Sequence, residues 1–104
     1  MKHSLLPKTF LIILLFLIVI YSKAQTAEDY IKKGIEKYIH KYYSEALQDF
    51  NNAIKLNPKF TDALVLRADT KYKLGNKEGA CLDWSKAGEL GDTEAYDMIK
   101  KNCK

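Results

Sequence analysis

The sequence predicts an all-α protein: two antiparallel helical hairpins closed by a short C-terminal helix, an α-solenoid fragment. Three observations carry this. After Gln25 the apolar residues recur every three or four positions, and no stretch alternates as a strand would. Residues that stop or start helices stand at Asn57-Pro58, Gly75-Asn76 and Gly91-Asp92. The chain also matches itself when Ala46 is laid on Ala80, a shift that is the period of stacked helix pairs.

The first segment is set apart from this pattern. Phe10 to Tyr21 is an unbroken apolar block behind Lys2 and Lys8, and it ends in Ser22-Lys23-Ala24. A basic start, a short apolar middle and small residues two apart are the layout of a cleaved secretory signal. The block holds 12 residues, against roughly 20 for a membrane-spanning helix. The expectation is a signal peptide over residues 1–24 and an exported domain over 25–104, periplasmic or secreted. The alternative is an inner-membrane anchor formed by an uncleaved signal. Cleavage removes three lysines and no acidic residue, which leaves 14 basic against 13 acidic side chains. The formal +4 of the whole chain therefore belongs to the targeting segment, and a nucleic-acid partner is not expected. A domain of about 80 residues also buries too little surface for a large enzyme core.

The elements follow in order. Thr26 is the expected N-cap of a first helix, with Glu28 and Asp29 in its first turn, where acidic groups suit the helix dipole. Tyr30, Gly34 and Tyr38, with Ile31, Ile35 and Ile39, carry it to about His40. Ser44 is the expected cap of a second helix running through Ala46, Leu47, Phe50, Ala53 and Ile54 to Leu56. Asn57-Pro58 ends it, because the residue before proline avoids the helical region. Ala63, Leu64, Leu66, Ala68 and Tyr72 mark a third helix that stops at Gly75. Asn76 caps a fourth, with Ala80, Cys81, Trp84 and Ala87, and Gly91 stops that one. Asp92 caps a short fifth helix over residues 93–103, with Ala95, Met98, Ile99 and Cys103.

The shift that lays Ala46 on Ala80 also lays Phe50 on Trp84, Ala53 on Ala87, Gly34 on Ala68, Tyr30 on Leu64 and Tyr38 on Tyr72. Hairpin packing explains which residues recur. Two helices that cross closely need Gly or Ala where they meet, and one large aromatic fills the space between them. With these residues the chain resembles the tetratricopeptide repeat family, as repeats 27–60 and 61–94. In the first repeat Tyr30, Gly34, Ala46, Phe50, Ala53 and Pro58 match the family pattern. In the second, Leu64, Ala68, Ala80, Trp84 and Ala87 do. Lys33, Lys37, Arg67 and Lys71 depart from it, and Asp92 stands in the proline place. Residues Ala80 to Ala95 also look like the related Sel-like repeats.

The resemblance implies a protein-interaction scaffold whose first helices line a concave groove. Glu28, Ile31, Ile35 and Tyr38 would line it in the first hairpin, and Asp62, Val65, Asp69 and Tyr72 in the second. Each set lies three or four residues apart, along one helix face. The strip would suit an apolar peptide or a partner helix. The competing reading is that Ile31, Ile35 and Val65 are covered by packing within the chain or by a self-contact. The expected function is non-catalytic protein or peptide binding. Its rival is a structural subunit that self-associates or stacks in an envelope complex.

Cys81 and Cys103 are equidistant from the turn at Gly91-Asp92, so an antiparallel helix pair sets them level. In an oxidising compartment that reads as a disulfide. The alternative is two small apolar residues at a helix contact. No cofactor or metal is expected, since His40 is the only histidine after Gln25. No Cys-His pair or glycine-rich phosphate loop suggests catalysis. Tyr38, Tyr42 and Tyr43 are expected to fill the turn between the first two helices.

Overall fold

The computed structural model describes the backbone of residues 7–104 and the side chains of residues 7–20 and 27–104. Its elements are α1 (Lys8–Ile39), α2 (Tyr43–Leu56), α3 (Thr61–Lys73), α4 (Lys77–Glu89) and α5 (Thr93–Asn102). No strand occurs among the described residues. The fold is all-α: α1 packs on α2 and α3 on α4 as hairpins, α2 stacks on α3, and α5 packs on α4.

Each hairpin has its own core. In the first, Ile31, Ala46, Phe50, Ala53 and Ala63 are buried together. In the second, Leu64, Ala68, Ala80, Trp84, Ala87 and Ala95 are buried together, and Ile54 packs against both groups. Phe50 and Trp84 are wholly buried. The need for a small residue opposite the aromatic is visible at Gly34, where a Cβ would stand 2.5 Å from Phe50 Cε1.

The reversals within each hairpin and between α4 and α5 pass through the left-handed region, at Lys41 (φ 65°), Gly75 (φ 88°) and Gly91 (φ 107°), whereas the α2–α3 connection leaves α2 through an extended Asn57 (φ -141°). The backbone N–H after each bonds back across the helix end: Tyr42 to the Lys37 carbonyl at 2.8 Å, Asn76 to Lys71 at 2.8 Å, and Asp92 to Ala87 at 3.0 Å. This satisfies carbonyls that the helix leaves free. Glycine suits that conformation; Lys41, which stands one repeat before Gly75, does not.

Two expected helix starts differ. Thr26 lies inside α1, which runs unbroken from Lys8 to Ile39, because nothing between Ile20 and Ala27 breaks a helix once both flanks are helical. Ser44 is one residue inside α2, whose N-cap position is Tyr42, with no side-chain hydrogen bond. Asn76 and Asp92 do cap. Their side-chain oxygens accept from the Gly79 N–H at 2.9 Å and the Ala95 N–H at 3.1 Å.

Three of the four basic residues that break the repeat pattern have acidic partners. Lys37 Nζ stands 2.8 Å from Asp49 Oδ2. One repeat on, Lys71 Nζ stands 3.0 Å from Asp83 Oδ2, and Arg67 donates to both Asp83 oxygens at 2.7 and 2.8 Å. Asp49 and Asp83 are buried. A buried carboxylate left alone would be costly, so the lysines and arginine stand where their charge offsets it. Arg67 also donates to Asn51 at 3.0 Å and so ties the two hairpins together.

The apolar block Phe10 to Ile20 is exposed along α1. Among the described residues no helix is long and apolar enough to cross a membrane. Of the two lysines at the basic start of the expected signal, Lys2 lies outside the described residues and Lys8 is the first residue of α1.

Candidate functional site

The cleft that three of the eight expected groove residues share lies between α1, α3 and α5, with a volume of about 280 Å³. Tyr38 comes from the end of α1, and Asp69, Tyr72 and Lys73 from the last turns of α3. Trp84 forms the back from α4, and Met98, Lys101 and Asn102 close the side from α5. The helical repeat explains the grouping. Residues 69, 72 and 73 are three or four apart and share a face of α3, as 98, 101 and 102 do on α5.

The polar centre is Asp69. One carboxylate oxygen accepts the Trp84 indole N–H at 3.1 Å. Burial raises the Asp69 carboxyl above its ordinary range, and the Trp84 hydrogen bond and the charge of Lys73 offset only part of that. Burial likewise raises the Tyr38 hydroxyl, with the nearby Asp69 and Tyr43 adding to the effect. The Tyr72 and Trp84 rings lie 5.8 Å apart between centroids, and Lys77 Nζ sits 5.6 Å from the Tyr72 ring centre. Tyr38 meets Tyr43 edge-on at 5.3 Å. Tyr42 is exposed, so two of the three tyrosines pack at that turn and the third does not.

Of the eight expected groove residues, Tyr38, Asp69 and Tyr72 come together in the cleft. Ile31 is a core residue, 7 % exposed, because it packs with Phe50 and Ala53 rather than facing open space. Val65 is half-buried against the second core. Glu28, Ile35 and Asp62 are exposed on other parts of the helices. The α5 wall is an addition to the sequence reading. Its signal was present: the repeat shift carries Leu64 onto Met98 and Ala68 onto Asn102, so α5 stands where the first helix of a third repeat would.

Cys81 and Cys103 are joined by a disulfide, with Cα atoms 5.9 Å apart, and neither cysteine is free. The bridge fixes the end of α5 on α4, immediately after the residues that line the cleft. Such a bond is compatible with an exported protein. No family model matches the chain, and no curated protein is similar enough to count as a relative.

Proposed function

We propose that this is a non-catalytic scaffold of the tetratricopeptide kind, acting outside the cytoplasm and holding a protein or peptide segment between α1, α3 and α5. The observation that carries this is the cleft itself, where three helices present two tyrosines, a methionine and a half-buried carboxylate to one space. Tyrosine offers apolar area with a polar tip, and a groove of this kind suits an extended or helical segment. The repeat pattern supports the family reading. The basic, apolar and small-residue layout of residues 1–24, together with the disulfide, supports export.

The test is panning of a displayed random-peptide library against the protein recovered after export. Wild type is compared with Tyr72→Ala, and helicity is followed by circular dichroism. Enrichment of a saturable binder by wild type, lost in Tyr72→Ala at unchanged helicity, is the expected result. No enrichment, together with a stable dimer in light scattering, would replace the groove reading with the self-stacking one. Intact mass reports the processing: a chain starting at Gln25 is expected, and one that keeps residues 1–24 in the membrane fraction would favour the anchor.

A further inference from the structure

The cleft has a chemistry narrower than peptide binding in general. Asp69 is held half-buried, with one oxygen engaged by Trp84 and its second oxygen without a hydrogen bond from the described residues. Around it stand Tyr38, Tyr72 and Trp84, and Met98 closes the far wall. Aromatic faces attract cations, and a carboxylate out of bulk water attracts them more strongly than one in it. Resting on the groove reading above, we propose that this cleft is a pocket for the side chain of a lysine in the bound segment. The ammonium meets the free oxygen of Asp69 and the stem lies between Tyr38 and Tyr72.

Lysine fits better than arginine here. A guanidinium binds a carboxylate best through two parallel hydrogen bonds, which needs both oxygens. With one oxygen already accepting the indole N–H, a guanidinium fork would have to share that oxygen, and a point charge with a flexible apolar stem is the better complement. Lys73 and Lys101 at the rim and Lys77 over the Tyr72 ring are the obvious objection, since they carry the same charge. All three are exposed, and none is within ion-pair distance of Asp69. Burial outweighs the charge of Lys73 in setting the Asp69 carboxyl. The rim lysines favour an acidic residue beside the lysine in the ligand.

Asp69 also carries a cost in stability. Its carboxyl is raised in the folded chain, so the fold binds that proton more tightly than the unfolded chain does. Stability from this group is therefore present at low pH and is lost as pH rises through the folded value. At neutral pH the carboxylate subtracts from stability. Asn at 69 keeps the oxygen that accepts from Trp84 and removes the buried charge.

The experiment uses protein synthesised as the full chain and purified from the expressing cells. It is titrated with blocked hexapeptide libraries whose central residue is fixed as lysine, arginine, norleucine or glutamate. Trp84 is the only tryptophan, so its emission reads the site directly. The lysine library is expected to bind at least tenfold more tightly than norleucine, and more tightly than arginine. Asp69→Asn should abolish the preference for lysine over norleucine while melting no lower than wild type at pH 7. Equal binding of lysine and norleucine, or a preference for glutamate, would overturn the lysine pocket and leave the groove standing. No binding by any library would overturn both.

Discussion

The bridge between Cys81 and Cys103 gives the most exacting test of how this small solenoid is held together. Helix α5 has ten residues and packs chiefly on α4, through Ala95, Met98 and Ile99. Helices of that length are marginal in water by themselves. The cysteines are 22 residues apart in sequence. Closing a loop of that size in the unfolded chain contributes about 3 kcal/mol by the chain-entropy account. For a domain of this size each kcal/mol moves the melting temperature by roughly 4–8 °C, so reduction should lower it by roughly 12–24 °C. Local loss should precede global unfolding, because α5 is the shortest helix and packs on one neighbour chiefly. The assay is thermal melting by circular dichroism with and without reductant, alongside thiol titration of the denatured, non-reduced protein. No free thiol, a large drop on reduction and a partial loss of helical signal below the main transition are expected. Two free thiols per chain, or a melting temperature indifferent to reductant, would refute the reasoning. Packing by Ala95, Met98 and Ile99 would then be what holds α5.

Phe50→Ala and Trp84→Ala should each cost about 3–5 kcal/mol, since both side chains are wholly buried between paired helices; denaturant melts that match wild type would show that the hairpin cores lie elsewhere. Lys41→Gly should stabilise by roughly 0.5–1 kcal/mol, the relief of a left-handed lysine less the added chain entropy of glycine. Tyr42→Asn should add about 1 kcal/mol by giving α2 the side-chain cap that Asn76 gives α4; thermal melts of the two single variants and the double read both. Asp83→Leu should destabilise by roughly 2 kcal/mol or more, because it leaves Arg67 and Lys71 beside an apolar residue in a half-buried place; a melting temperature equal to wild type would show that these ion pairs contribute nothing.

Much of this fold was legible because its largest signal is local and repeated. The aromatic at 50 and 84, the small residues opposite and the stops at Gly75 and Gly91 each report a contact that the hairpin geometry demands. What sequence misread was tertiary. Spacing alone cannot tell Ile31 from Ile35, one turn apart on α1. Only the crossing with α2 decides that the first is covered by Phe50 and the second is not. Thr26 reads as a cap by residue type, yet a cap needs the chain before it to leave the helix, and here both flanks are helical. The basic residues at 33, 37, 67 and 71 read as departures from a pattern. Asp49 and Asp83 share one repeat register, and reading acids and bases together would have found the pairs at 37 and 71.

The cleft shows why the two repeats are not interchangeable. One repeat before Asp69 stands Ile35, and one repeat before Trp84 stands Phe50. The first hairpin thus has an apolar pair where the second has a carboxylate and an indole. The two differences belong together. An aspartate turned toward a buried aromatic needs a donor, and phenylalanine has none. The indole N–H supplies it from inside the core without disturbing the packing that Phe50 provides in the first repeat. A polar centre could therefore arise in one repeat while the framework of both stayed the same. In the second repeat α5, in the place of a further first helix, completes the walls. The disulfide that fixes α5 is in this sense as much a part of the site as Asp69. Without it the cleft would keep its carboxylate and lose the side formed by Met98, Lys101 and Asn102.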